Sequence, residues 1–214
     1  NGPVVLDFPS NFDDGDCGEL PVQPSRYVEA SPDSDSLKRA QTLIDRSTRP
    51  LVVVGADVAT TGATEDLMTF VEAIGATVIS NMDARGIFPE SHPRCAGVMV
   101  GNYIPNTLEG ELEDLCDLVV LVGADSLMTH VPWGFNMPAI ELVSRSEYRT
   151  TVLEPEVRVD GSLSESLKTL AGSKCKGISI EEIDAAKQNV LKYFERPSEA
   201  TFAIQDIVAS CRAA

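Results

Sequence analysis

Leu51-Val52-Val53-Val54-Gly55-Ala56-Asp57 and Leu118-Val119-Val120-Leu121-Val122-Gly123-Ala124-Asp125 are two copies of one arrangement: an unbroken apolar, β-branched run ending on Gly-Ala-Asp. A strand with one wet face alternates apolar and polar residues, whereas a run with no polar position reads as a strand covered on both faces. Two such runs imply a parallel sheet with helices packed above and below it.

The neighbouring segments agree. Ahead of Leu51, Ser34–Thr48 places Leu37, Ala40 and Ile44 on one helical face and stops at Arg49-Pro50. Behind it, Thr64–Ile74 carries Leu67, Phe70, Val71 and Ile74 at i, i+3, i+4, i+7, closed by Gly75. Thr77-Val78-Ile79-Ser80 reads as the next strand. Leu108, Leu112 and Leu115 form another stripe, with Glu109, Glu111, Glu113 and Asp114 on the outer face. Beyond the second run, Thr151-Val152-Leu153 reads as a strand, and Ser162–Leu170 as a helix bearing Leu163, Leu167 and Leu170. Ser179-x-x-Glu182 is a capping box that opens a helix through Phe194. After Arg196-Pro197 a last helix carries Ile204, Ile207, Val208 and Cys211; it either folds back on this domain or leads away to another. Strands alternating with helices predict a doubly wound α/β fold. At the start, Val4-Val5-Leu6 is a short strand without a partner, followed by the Asp-, Gly-, Pro- and Ser-rich linker Asn11–Pro32.

Composition restricts the function. The 214 residues suit one large domain with tails, and 43% hydrophobic residues are enough for a core. With Lys+Arg 17 against Asp+Glu 33 the net charge is −16, which repels phosphate backbones and anionic lipid, so neither nucleic acid nor membrane is an expected partner. The apolar runs are far shorter than the ~20 residues that span a bilayer, and no charged-then-apolar leader opens the chain. Five scattered cysteines without a C-x-x-C offer neither a redox pair nor a zinc ribbon. Cys116 reads as a small buried hydrophobe, and a reducing, cytoplasmic setting is expected.

Few residues promise chemistry. His92, in Glu90-Ser91-His92-Pro93, stands in a loop and is expected to bond backbone rather than act as a base; with Cys95 it supplies two metal ligands, too few for a site. His130, in Met128-Thr129-His130-Val131-Pro132-Trp133, follows a strand end, where α/β sheets keep their ligands. No G-x-S-x-G, P-loop or Rossmann glycine fingerprint occurs. Gly55 and Gly123 either let backbone approach a nucleotide or simply let strand and helix pack closely. The stretch Asn81–Glu90 is a long loop after a strand, with Asp83 and Arg85 as a candidate ion pair and Gly86 between them and the next apolar residue.

In order along the chain, these pieces resemble thiamine-diphosphate enzymes of the acetolactate synthase and benzoylformate decarboxylase type. Gly2-Pro3-Val4-Val5-Leu6-Asp7-Phe8-Pro9 resembles the end of their pyrimidine-binding domain, and Arg49-Pro50-Leu51-Val52-Val53-Val54-Gly55 the first strand of their middle domain. Arg85-Gly86-Ile87-Phe88-Pro89-Glu90-Ser91-His92-Pro93 with Gly97-Val98-Met99-Val100-Gly101 is similar to their G-x-x-P-E-x-H-P…G motif. Asp117-Leu118-Val119-Val120-Leu121-Val122-Gly123-Ala124 is similar to their A-D-L-(apolar)-G-A strand.

The resemblance implies a six-stranded parallel, Rossmann-like sheet with helices on both faces and a linker arm at each end. It implies a linker from a pyrimidine-binding domain over 1–32, the central domain over 33–172, and a helical linker toward a diphosphate-binding domain over 173–214. Thiamine diphosphate and Mg2+ would belong to the parent enzyme, a homodimer or homotetramer. Its activating glutamate and metal-binding G-D-G…N-N motif would lie outside this chain; Gly15-Asp16-Cys17 lacks the third glycine.

In some branches the middle domain holds FAD or ADP. The nucleotide crevice would be lined by Gly55, Arg85, Gly86, Gly101, Asn102, Gly123 and Asp125, and the substrate entrance by Asn102, Tyr103 and His130. Flavin-binding relatives carry an arginine after the Gly-Ala and an Ile-Asp-x-Asp after the next strand. Here Asp125-Ser126-Leu127-Met128-Thr129 has no arginine and Thr151-Val152-Leu153-Glu154-Pro155-Glu156 offers only Glu154, so neither FAD nor ADP is expected. The chain is expected to be a non-catalytic central domain of an enzyme acting on 2-keto acids or acyloins. The alternatives are a free-standing module binding NAD, FAD or ADP, and an independent enzyme using His130 as base.

Overall fold

The computed structural model describes residues 29–99, 107–124, 135–145, 153–193 and 210–211. The expected strand at Val4-Val5-Leu6, the linker up to residue 28, and most of the last helix lie outside these residues.

Each described element follows from its sequence. Helix α1 (Ser34–Arg46) begins where the Asp33 carboxylate accepts from Ser36 N at 2.8 Å, and it buries Leu37, Ala40 and Ile44. Strand β1 (Pro50–Val54) is buried at every position, as an all-apolar run requires. A four-residue helix, α2 (Asp57–Thr60), precedes α3 (Thr64–Ile74), which buries Leu67, Phe70, Val71 and Ile74 and ends on Gly75 in the left-handed region at φ 63°. Strand β2 (Thr77–Ser80), a 3₁₀ turn (Met82–Ala84), and strand β3 (Cys95–Val98) follow. Then come α4 (Leu108–Leu115), β4 (Leu118–Val122), β5 (Ala139–Val143), β6 (Val157–Asp160), α5 (Leu163–Leu170) and α6 (Ile180–Tyr193).

The six strands form one sheet in the order β3-β2-β1-β4-β5-β6, every neighbouring pair parallel. This is the expected doubly wound α/β fold. The pleat sends alternate residues of β1 to opposite layers. Val52 and Val54 join the core made with α1, α3 and α5, while Leu51 and Val53 join the core made with α4 and α6.

Two expectations change: Glu109, expected on the outer face of α4, is buried, and one strand shifts along the chain. The strand ahead of α5 is not at Leu153, which is irregular, but at Val157–Asp160; Thr151 and Val152 lie outside the described residues. Val157-Arg158-Val159-Asp160 alternates apolar and charged residues, as befits a strand at the edge of a sheet. The capping box forms as read, Ser179 N donating to Glu182 Oε2 at 3.1 Å and Glu182 N to Ser179 Oγ at 3.2 Å. The helix it opens packs into the body: Ile178 and Ile183 are buried, and Arg94 donates to the carbonyls of Gly75 (2.7 Å) and Ile178 (3.0 Å). Gly75 and Gly177 cross there so closely that a Cβ on Gly177 would stand 2.7 Å from Gly75 Cα.

Candidate functional site

In a sheet of this order the chain moves one way from β1 and the other way from β4, so ligands lodge outside the carboxyl ends of these two strands. Gly55 and Gly123 stand at that switch point. Gly55 N donates to Val122 O at 2.9 Å, and Asp57 N donates to Gly123 O at 3.1 Å. A Cβ on Gly55 would lie 2.2 Å from Gly123 O and 2.5 Å from Ala124 N. Gly123 itself has φ 61°, and a Cβ there would meet Val58 N at 2.9 Å. Both glycines are used for packing the two strand ends against each other.

Asp57, the third residue of Gly-Ala-Asp, faces the same place. Its carboxylate accepts from Thr60 Oγ1 at 2.5 Å and from the hydroxyl of Ser144, which follows β5. The bond therefore reaches across β4. The one sequence signal for Asp57 is the repeat of Gly-Ala-Asp behind both buried runs.

The loop after β2 is organised by Asn81, whose side chain accepts from Met82 N at 2.7 Å. Ala84 and Phe88 are buried, while Arg85 and Gly86 face solvent. Gly86 has φ 81° with open space where a Cβ would be. No ion pair joins Arg85 to Asp83. Gly101, Asn102, Tyr103, Asp125 and His130 lie outside the described residues, so of the expected crevice the structure brings together Gly55 and Gly123, with Arg85 and Gly86 on the loop after β2.

His92 does bond backbone. Its Nδ1 accepts from Arg94 N at 3.2 Å, which leaves Nε2 to carry the proton and face Glu72 Oε1 at 3.3 Å. The ring meets Phe88 edge-on, centroids 4.9 Å apart. Cys95 is buried in β3, and its thiol is pushed up chiefly by burial. Among the described residues no group of three or more His, Cys, Asp or Glu is placed to hold a metal ion.

Two polar nodes, one buried and one solvent-exposed, have no local sequence signal. Glu141, 1% exposed in the middle of β5, pairs with Arg158 of β6 at 2.7 Å; the two are direct register partners. Asp117 ties the start of β4 to the start of β1, accepting from Thr48 N, Thr48 Oγ1 and Arg49 N at 2.8–3.0 Å and from Ser47 Oγ. Burial alone would raise its carboxyl, but these hydrogen bonds outweigh that and hold it below the usual carboxylate range.

A pocket of ≈ 430 Å³ lies at the other end of β1, between Arg49, Lys176 and Glu182. There the Arg49 guanidinium bonds Glu182 Oε1 at 2.6 Å. This pocket is framed by elements that brace α6, remote from the switch point. No helix among the described residues is long and apolar enough to cross a membrane.

Comparison with known proteins places this geometry. The family model described as the central domain of thiamine pyrophosphate enzymes matches residues 37–170, from α1 through α5. The acetolactate synthase large subunit of Corynebacterium glutamicum is 29% identical over 127 residues, 58% of this chain and 20% of its own length. A pyruvate decarboxylase of Neurospora crassa is 25% identical over 126 residues, 57% of this chain and 22% of its own. Benzoylformate decarboxylase from Polynucleobacter necessarius superposes with a TM-score of 0.57 at 23% identity, over 74% of this chain and 31% of that one, a likeness of fold. The chain spans about a fifth of the length of the two sequence relatives. The family match runs across the whole β1–β6 sheet and the helices from α1 through α5, and the chain belongs to the family of thiamine pyrophosphate enzyme central domains.

Proposed function

We propose that this chain is the non-catalytic central domain of a thiamine-diphosphate-dependent lyase, decarboxylase or carboligase acting on 2-keto acids or acyloins. The family match over residues 37–170 carries this reading. The short span of the chain against its relatives supports a parent with further domains.

The partners are the flanking pyrimidine- and diphosphate-binding domains of the parent chain. Thiamine diphosphate supplies carbanion-stabilising chemistry when bound in such enzymes. The acid at the switch point is bonded to two hydroxyls and the acid at the start of β4 to backbone, so neither is free to meet it. In the proposed reading Mg2+ belongs to the diphosphate-binding domain, the parent is a homodimer or homotetramer, and its setting is the cytoplasm. The role of this chain is to hold the two coenzyme-binding domains at a fixed distance. Asn102, Tyr103 and His130 are assigned to the wall of the substrate entrance. Rigidity suits that role, because a spacer with a six-stranded parallel core transmits position with little give.

The test is turnover. The full parent enzyme is expected to release carbon dioxide from a 2-keto acid such as pyruvate or benzoylformate only with thiamine diphosphate and Mg2+. The 214-residue chain alone is expected to release none. Coenzyme-dependent decarboxylation by the isolated chain would overturn the reading.

A further inference from the structure

We propose that Asp57 is a built-in stopper of the switch-point crevice, tied to Ser144 and barring the FAD or ADP that the resemblance allows there. Three observations carry this, none of which depends on the reaction of the parent enzyme.

The first is steric. A nucleotide's diphosphate approaches a strand end where glycine leaves room for it. At Gly55 the room is filled by the chain itself, since Gly123 O and the Ala124 backbone stand 2.2–2.5 Å from where a Cβ would be. At Gly123 the amide of Val58 and the side chain of Asp57 do the same, at 2.9 and 3.1 Å. With both glycine positions filled, a diphosphate at this junction would have to lie outside them, against the Asp57 side chain that stands 3.1 Å from the Cβ position of Gly123.

The second concerns the helix that would receive the phosphates. The element following β1 is α2, four residues long, and a single turn sums too few peptide dipoles to attract an anion. The next helix, α3, opens with Glu65 and Asp66 in its first turn. Carboxylates there complement the helix dipole and compete with any phosphate for it.

The third is electrostatic. Asp57 is the first residue of α2, and its carboxylate lies between the ends of β1 and β5, bonded to Thr60 Oγ1 and to the Ser144 hydroxyl. A diphosphate brought to the β1–β4 junction would face this charge at close range, in a partly buried place where screening is weak. The hydroxyl of Ser144 keeps the carboxylate from turning away.

Equilibrium dialysis of the full chain against ADP and against FAD, without added divalent cation, tests the proposal. The wild-type protein is expected to bind neither nucleotide saturably at millimolar concentration. D57N keeps the size of the side chain and removes its charge, and it is expected to bind ADP at least about tenfold more tightly than wild type, the factor that ~1.4 kcal/mol represents. One-to-one binding by the wild-type protein would overturn the proposal, and so would a D57N protein that binds no better than wild type. Should D57N not fold, D57S decides: it too removes the charge, so ADP is expected to bind at least about tenfold more tightly than to wild type, and binding no better than wild type would sink the idea. The tie has its own readout in thermal unfolding. The larger part of the midpoint loss caused by S144A is expected to vanish in a D57A background; an undiminished loss there would mean that the two residues are not coupled.

Discussion

The carboxylate of Asp117 holds the backbone of Thr48: Thr48 N donates to Oδ2 at 2.9 Å and the Thr48 hydroxyl donates to the same atom at 2.8 Å. The two residues precede β4 and β1, the central pair of the sheet, so a single side chain fixes where both strands begin. Asp117 N completes the loop by donating to Arg49 O at 3.0 Å. The Asp-Leu-(apolar) sequence at this position therefore has a mechanical cause, a carboxylate that sets strand register.

Removing that carboxylate is expected to destabilise the domain by about 1–2 kcal/mol in D117A, a modest figure because solvent reaches the residue. The effect has a predictable pH dependence. Hydrogen bonding keeps the folded carboxyl below its unfolded value of roughly 4, so the contribution is present above that pH and is lost as pH falls through the lower folded value. Urea unfolding of wild type and D117A is expected to diverge at pH 7 and converge near pH 2. Equal differences at both values would show that the side chain acts by packing alone.

Glu141 and Arg158 pair across β5 and β6, with Glu141 almost wholly enclosed and Arg158 also bonded to Asp160 at 2.8 Å. Replacing one member strands a buried charge, whereas replacing both removes the desolvation cost along with the attraction. R158M is expected to cost ~3 kcal/mol, and E141L with R158M together distinctly less than R158M alone. Denaturant midpoints at constant m-value measure both. A double variant at least as unstable as R158M would mean that the pair contributes net stability.

The same pair explains part of what the sequence hid. The strands at Leu51–Val54 and Leu118–Val122 were legible because nothing polar interrupts them, and the helices because their apolar faces repeat at helical spacing. Strand β5 was not legible by pattern, since Glu141 breaks its apolar run and its partner lies on another strand. Strand β3, Cys95–Val98, contains Gly97 and meets β2 through a register shift between Val78 and Ile79, so its period is broken as well. Of the site, Gly55 and Gly123 were marked by position alone. The role of Asp57 depends on Ser144, a contact between the ends of β1 and β5 that no local pattern encodes.

Cysteine reactivity is expected to follow burial. The thiol of Cys116 is pushed up to about 12 by burial first and by the adjacent Asp117 charge second, against a smaller opposing pull from Arg49. Burial also raises Cys95 and Cys175, the latter donating to Ser47 O at 3.1 Å. Iodoacetamide at pH 8 is expected to label the exposed Cys211 ahead of Cys95 and Cys116, which stay intact until denaturant is added, as read by peptide mass spectrometry. Because the unfolded thiol ionises near 8.5 and the folded Cys116 only near 12, stability is full below the first value and falls as pH rises between them. Rapid labelling of Cys116 in the native protein would contradict the burial that underlies both expectations.

Two glycines of the expected crevice make opposite predictions, and the contrast separates packing from backbone strain. A methyl at Gly55 would stand 2.2 Å from Gly123 O, on backbone that is part of the central strand pair and cannot retreat without parting β1 from β4. G55A is expected to lose more than ~4 kcal/mol, the range reserved for severe overpacking or failure to fold. A methyl at Gly86 would meet nothing, and its only cost is the positive φ of 81°, about 1 kcal/mol. Soluble yield and thermal midpoint of the two variants are expected to differ accordingly: G86A folded and slightly weakened, G55A aggregated or melted near room temperature. A stable G55A protein would mean that the strand ends at the switch point stand farther apart than described, and the crevice between them would then have room for a ligand.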